Sequence, residues 1–145
     1  MPKVAKETTP SCTCLRLRKA SRRVTQIYDQ ALDSHGLTVT QYGLLGHIKR
    51  LDGIALGALA DILVMDATTL TRTLKPMQAV GWIASRVDAE DARARHLHIT
   101  PKGLAIYKAA RPAWDAAQRR VADALGEPDS ARLAKSIDRL LTALA

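Results

Sequence analysis

Asp66-Ala67-Thr68-Thr69-Leu70-Thr71-Arg72-Thr73-Leu74-Lys75-Pro76-Met77-Gln78-Ala79-Val80-Gly81 is the stretch whose reading decides the fold. Wound at about 100° per residue, it puts Leu70, Thr73, Leu74 and Met77 on one side and gathers Thr68, Arg72 and Lys75 on the other. Asp66 caps the start, because its carboxylate accepts from the free N–H groups of a first turn. Gly81 ends it, in the left-handed conformation that costs glycine nothing. The product is a short helix with an apolar stripe and an outer face of hydroxyls and cations. Such a face suits a DNA major groove, where Thr meets phosphates or a thymine methyl and Arg pairs with guanine. A merely solvated polar face fits this helix equally well when it is taken alone. The flanking sequence decides between them.

Upstream, the apolar spacing predicts a helix from Gln41 to about Leu51, capped by Thr40 and buried through Leu44, Leu45, Ile48 and Leu51. Asp52-Gly53 is a turn. A third, short helix follows over Leu56 to Val64, with Leu59, Ile62 and Leu63 inward. Two short helices in close succession, the second with a polar outer face, form a helix-turn-helix. Downstream of Gly81 the period changes to two. Trp82 to Val87 reads as a strand and Arg95 to Ile99 as its partner, Leu97 and Ile99 pointing one way and His96 and His98 the other. Asp88 to Ala94, all acids and alanines except Arg93, makes a charged tip. A hairpin placed directly after a helix-turn-helix is a wing.

Outside this core, residues 1–10 are polar and hold two prolines, which predicts a loose tail. Residues 11–36 read as one helix, with Leu17, Val24, Ile27, Tyr28, Ala31 and Leu32 at helical spacing and Gly36 as its stop. Thr100 and Pro101 open a helix that runs to Leu125, where Gly126 and Pro128 end it. A last helix, about Asp129 to Leu144, carries Leu133, Ile137, Leu140, Leu141 and Leu144 on one face. Seams this long exceed what a small lobe needs for its own core. Residues 11–36 and 101–145 therefore read as dimerisation helices around a DNA-binding lobe at 37–100. The fold class is mainly α with a small β-hairpin wing.

Composition agrees. At 145 residues, 47% of them hydrophobic, the chain can build one core, but without Phe it must do so through aliphatic and Ala-rich helix packing. No run approaches the roughly 20 apolar residues of a membrane span, and the N-terminus lacks the apolar core of a signal peptide. The expectation is a cytoplasmic protein with no membrane partner. The net charge of +8 is uneven: residues 1–25 hold seven Lys/Arg against Glu7, and the remainder fifteen against thirteen acids. Such a balance favours an anionic partner, double-stranded DNA above all.

Leu37-Thr38-Val39-Thr40-Gln41, Thr69-Leu70-Thr71-Arg72, Gly81-Trp82-Ile83, Asp91-Ala92-Arg93 and Ile99-Thr100-Pro101-Lys102-Gly103 together resemble the MarR family of bacterial winged-helix transcription regulators. The likeness covers about Cys12 to Leu144. It implies a homodimeric regulator, a repressor, whose first and last helices interdigitate and whose lobes reach adjacent major grooves of a palindromic operator. It also implies release by a small-molecule or oxidant signal. By the resemblance Thr68, Thr69, Thr71, Arg72 and Lys75 face DNA, and Arg93 takes the minor-groove position of the wing. Arg86 on the first wing strand is a further candidate contact. Ala92 departs from the family's usual Asp-Arg-Arg, and Ala67 stands where relatives often carry a larger polar residue. Pro76 removes one backbone donor and bends the helix rather than ending it.

The chain has no Gly-rich phosphate loop, no Gly-x-Ser-x-Gly and no His-Glu-x-x-His, so it does not read as an enzyme and implies no cofactor. Cys12, Cys14, His35 and His47 have spacings foreign to zinc sites, and no metal is assigned. A metal-responsive regulator, and a basic helical interaction protein without sequence-specific DNA binding, remain as alternatives. For a small aromatic or phenolic effector, Tyr28, Tyr42, His47, Arg111 and Trp114 are candidate pocket linings, Arg111 suiting a carboxylate. Cys12 and Cys14 are candidate redox sensors, since a helix start with Arg16 and Arg18 nearby favours thiolates. Against this, residues two apart on a helix point apart, so a bond between the pair requires unwinding. The competing reading is two small residues packed at the dimer interface.

Overall fold

The computed structural model describes residues 12–145; the tail expected over residues 1–10 lies outside them. Helix α1 (Thr13–Leu32) leads through a 3-10 turn (Asp33–His35) to α2 (Val39–Arg50), strand β1 (Ile54–Ala55) and α3 (Leu56–Ile62). The opening stretch forms α4 (Ala67–Ala79), followed by β2 (Ile83–Val87), β3 (Arg95–Ile99), α5 (Pro101–Leu125) and α6 (Asp129–Ala143). The mainly helical fold with a wing is as the sequence predicts. Its boundaries differ in instructive places.

Helix α2 begins two residues earlier than expected, with Thr38 rather than Thr40 as its cap. Thr38 Oγ accepts from the Gln41 N–H at 3.2 Å while the Gln41 side chain accepts from the Thr38 N–H at 3.1 Å. Only Thr38 has a Gln or Glu three residues on; Thr40 has Gly43 there and cannot form this reciprocal pair. Asp29 of α1 then accepts from the Val39 N–H at 2.7 Å, fixing the two helices at that corner.

Helix α3 stops at Ile62 instead of Val64. The Val64 N–H donates to Asp61 O at 3.1 Å and the Met65 N–H to Ala60 O at 2.9 Å, a Schellman closure with Val64 at φ 52°. A β-branched residue in that region costs on the order of 1–2 kcal/mol. Ile62, expected inside, is 51% exposed, because the chain turns away there and leaves Leu59 and Ala60 to carry the packing. Helix α4 closes the same way with the residue that suits it: Gly81 sits at φ 79°, and its N–H and that of Trp82 reach Gln78 O and Met77 O, both at 3.0 Å. Trp82 therefore belongs to the end of α4 and not to the strand. Helix α4 continues past Pro76, as expected.

The Asp52-Gly53 turn leads into β1, which the sequence reading lacks. It pairs with β3 (Ile54 opposite Leu97), so the sheet is three-stranded and antiparallel in the order β1-β3-β2, not a two-stranded hairpin. The core lies between this sheet and α2, α3, α4 and α5. Leu45, Ile48, Leu59, Leu70, Leu74, Met77 and Leu97 are all buried, each worth about 1.5–3 kcal/mol relative to exposure. By contrast α6 buries no residue, and Leu15, Leu17, Leu125, Leu133, Ile137, Leu140, Leu141 and Leu144 are all exposed in the single chain.

One junction joins lobe to long helix. The Thr100 N–H donates to Trp82 O at 3.0 Å, its hydroxyl donates to Gly81 O at 2.5 Å, and the Thr100 hydroxyl oxygen accepts from the Gly103 N–H at 3.0 Å. Gly103 is buried, and a Cβ there would lie 2.0 Å from the Trp82 carbonyl oxygen. Gly103→Ala must therefore push α5 off the wing base. We expect a loss of about 3 kcal/mol or more, at the upper end of overpacking, measured by urea denaturation; an unchanged midpoint would contradict the packing.

Candidate nucleic-acid interface

The outer face of α4 is held rigid from its first residue. Asp66 Oδ1 accepts from the Thr69 N–H at 2.8 Å and Oδ2 from the Thr69 hydroxyl at 2.6 Å. The Thr69 hydroxyl and its backbone N–H keep the Asp66 carboxyl below the usual carboxylate range. Thr69, a sequence candidate for DNA contact, thus has its hydroxyl proton committed to the cap. The Thr71 and Thr73 hydroxyls donate back to Ala67 O and Thr69 O at 2.8 and 2.9 Å. Thr68, Arg72 and Lys75 are exposed and, with Ala67 and Thr71, line a shallow depression of about 400 Å³.

Beside it lies a deeper cleft of about 540 Å³ between the start of α3, α4 and the wing. Lys75 and Gln78 line it from α4, and Ser85, Arg93 and Arg95 from the wing. The structure therefore brings Arg93 to Thr71 and Lys75, as a groove-spanning site requires. Arg86 is not brought there. In the β2–β3 register Ser85 stands opposite Leu97, and Arg86 opposite His96. Successive side chains alternate faces, so Arg86 shares the far face with His96 while Ser85 shares the core face with Leu97. Sequence reasoning missed Arg95, Gln78 and Ser85, although Arg95 alternates with Leu97 and Ile99 and the signal was present. The wing tip is closed by its own acids: Asp88 accepts from the Glu90 N–H at 2.8 Å and Asp91 from the Arg93 N–H at 3.0 Å.

Of the proposed effector-pocket residues, Tyr28, Tyr42 and Arg111 converge on a fourth, Trp114. The Tyr42 ring stacks on Tyr107 and Trp114 at 4.7 and 5.6 Å, and Tyr28 tilts against Trp114 at 6.2 Å. Arg111 lies 5.3 Å over the Trp114 ring and bonds Asp115 at 3.0 Å. The Tyr42 hydroxyl is enclosed without a partner in a residue only 4% exposed, and burial pushes this phenol far above its ordinary value. His47 instead places Nδ1 2.8 Å from Gly43 O of its own helix. Cys12 and Cys14 are exposed free thiols, and Cys12 is the N-cap of α1, its sulfur accepting from the Leu15 N–H at 3.4 Å. Among the described residues no three His, Cys, Asp or Glu side chains group to hold a metal, and no helix is long and apolar enough to cross a membrane.

The sequence pattern of the MarR family matches residues 35–94, the span from the end of the 3-10 turn to the wing tip. The transcriptional regulator PetP of Rhodobacter capsulatus is 31% identical, over 75% of this chain and 75% of its own. The chain belongs to the MarR family. Transcriptional regulator MosR of M. tuberculosis, solved in complex with DNA, matches at 34% identity and TM-score 0.82 over 92% of this chain and 96% of that one. An organic hydroperoxide resistance transcriptional regulator of Bacillus subtilis is 29% identical over 67% of this chain and 66% of its own. All three of these relatives are transcriptional regulators.

The cap yields a prediction with a defined sign. Asp66→Ala removes the acceptor of the Thr69 N–H, so hydrogen exchange at the Thr69 amide should speed up while the Leu74 amide is unaffected. Because the Asp66 carboxyl is held low, wild-type protection stands above the ordinary carboxylate value and is lost as pH falls through the lowered one.

Proposed function

We propose that this MarR-family protein is a cytoplasmic, homodimeric, sequence-specific DNA-binding repressor that holds a palindromic operator and leaves it on an oxidant or small-aromatic signal. The observation that carries the DNA reading is the cleft where Lys75, Arg93 and Arg95 meet beside the exposed Thr68–Arg72 face. Helix α4 enters the major groove, with Arg72 directed to guanine and Thr68 and Thr71 to phosphate or thymine methyl. Lys75 and Arg95 neutralise backbone phosphates, and Arg93 follows the narrow groove. Thr69 serves by holding the cap. Arg86, on the outer face of the sheet, adds charge to the wing rather than a contact within the cleft.

The exposed leucines of α6 and the start of α1 support the dimer, since so long an apolar face on one chain marks an interface. Interfaces of permanent homodimers bury on the order of 2,000 Å² or more. Light scattering at micromolar concentration should give twice the chain mass, and a monomer that still binds DNA tightly would refute this architecture.

For the signal, an oxidant is favoured over an aromatic ligand, because the thiols are exposed whereas the aromatic rings already pack on one another. The name of the Bacillus subtilis relative points the same way. A hydroperoxide would accept two electrons and two protons from Cys12 and Cys14, leaving a disulfide, an alcohol and water. Because Cys12 is the N-cap, only the first turn of α1 has to unwind.

The test is anisotropy of labelled duplex taken from upstream of the protein's own gene. Arg72→Ala should cost about 1–3 kcal/mol on the specific site and much less on random sequence, while Arg93→Ala should weaken all sequences alike. Equal losses on every sequence from both variants would show that α4 reads no bases. Peroxide should release wild-type protein and spare the Cys12→Ser/Cys14→Ser variant; equal retention would leave the cysteines structural.

A further inference from the structure

We propose that His96 is the positioning residue of the wing: a doubly donating imidazolium that ties the wing tip to the β1 turn and makes operator affinity depend on pH. The inference rests on the reading of the wing as a DNA contact. His96 Nδ1 lies 2.9 Å from Gly53 O, and Nε2 lies 2.9 Å from Asp88 Oδ2. A carbonyl and a carboxylate are both acceptors. A neutral ring carries one N–H and would turn a lone pair on one of them. Only the imidazolium satisfies both contacts.

Both contacts sit where they can steer the wing. Asp88 follows β2 directly, and it closes the tip by donating its N–H to Ala94 O at 3.0 Å and accepting from the Glu90 N–H. Arg93 hangs from that same loop through Asp91. Gly53 belongs to the turn that enters β1, and its N–H donates to Leu97 O at 3.0 Å. His96 thus spans all three strands and anchors the loop that carries the wing cation.

The charges around His96 are few. Arg86 stands opposite on β2, and His98 lies two residues along β3 with Nδ1 3.0 Å from Asp52. Helices α2 and α3 pack on the other face with Leu97, and neither His47, Lys49 and Arg50 of the former nor Asp61 of the latter bonds the imidazole. The Gly53 carbonyl first, and Asp88 second, hold the His96 imidazole above its ordinary value. The Glu90 N–H first, and His96 second, hold the Asp88 carboxyl below its own. The His96 contribution is therefore fully present below the ordinary histidine value and is lost as pH rises through the raised one. The Asp88 contribution is lost as pH falls through its lowered value. The tie is whole between those limits.

The experiment measures full-chain affinity for the operator duplex at constant ionic strength from about pH 5.5 to 9, together with ¹⁵N NMR of the histidine rings. Wild type, His96→Gln, Asp88→Asn and Arg93→Ala are compared, so that His35, His47 and His98 are common to all. Wild-type affinity should fall by roughly threefold to tenfold as His96 loses its proton, the scale of a coupling below one pKa unit. Asp88→Asn should reverse the sense of that step: its amide donates to the neutral ring at alkaline pH while its oxygen keeps the Glu90 N–H, whereas the imidazolium N–H would face the amide N–H. His96→Gln should bind more weakly throughout, without the step. A His96 ring already neutral where wild-type affinity is still at its acid-side maximum, or a loss of affinity on raising the pH that survives in Asp88→Asn, overturns the proposal. Unchanged affinity in Arg93→Ala with an imidazolium seen by NMR would instead locate the failure in the reading of the wing, and the link to DNA would fall with it.

Discussion

The close approach of Gly103 to the Trp82 carbonyl is the constraint on which the arrangement depends. Trp82 closes α4 and leads into β2, whereas Gly103 lies in the first turn of α5. Thr100 bridges them by donating to the Gly81 and Trp82 carbonyls and accepting from the Gly103 N–H, so the end of the reading helix, the base of the wing and the start of the long helix form one unit. No side chain fits between the two backbones. In a dimer built on α1, α5 and α6, the separation of two reading heads is then set by how α5 is oriented, because little slack exists at the junction. In such a dimer, a change at the interface would reach α4 by moving that unit bodily.

Within the lobe, rigidity comes from closed helix ends. Helix α4 has a carboxylate cap at Asp66 and a Schellman closure at Gly81, and Thr71 and Thr73 bond back to its own carbonyls. Thr68, Arg72, Lys75 and Gln78 are left to project, with the Thr71 methyl beside them. That division suits readout, in which a fixed frame carries a few long side chains whose conformational freedom is lost on binding. Val64 is the exception, a strained turn where glycine would relax the chain, and it lies between the two helices whose mutual angle presents α4. The wing is anchored differently, through polar contacts of His96 at its base and its own carboxylates at its tip.

The helix-turn-helix and the wing were legible because each has its own hydrophobic period and its own punctuation. Leu70, Leu74 and Met77 announce α4, and Leu97 and Ile99 announce β3. What escaped the sequence was set by tertiary contact. Two residues of β1 are too short to show a period, and only pairing with Leu97 and His96 makes them a strand. Thr38 prevailed over Thr40 because of a side chain three residues away. Arg95 shares the period of Leu97 and Ile99 and so was legible, whereas the β2–β3 register is what places Arg86 on the far face with His96. The aromatic residues Tyr28, Tyr42 and Trp114 are distant in sequence and meet only when α1, α2 and α5 pack, and there they contact one another.

The central claim is that α4 and the wing read a two-fold symmetric DNA site in the context of a dimer. Selection from a pool of randomised duplexes by the full chain tests it most directly. The account predicts enrichment of inverted half-sites whose centres lie about 10 base pairs apart, one turn of the duplex, with enrichment lost when the Arg72→Ala variant is used. Retention of DNA without any enriched sequence, or enrichment of single half-sites without a fixed spacing, would contradict it.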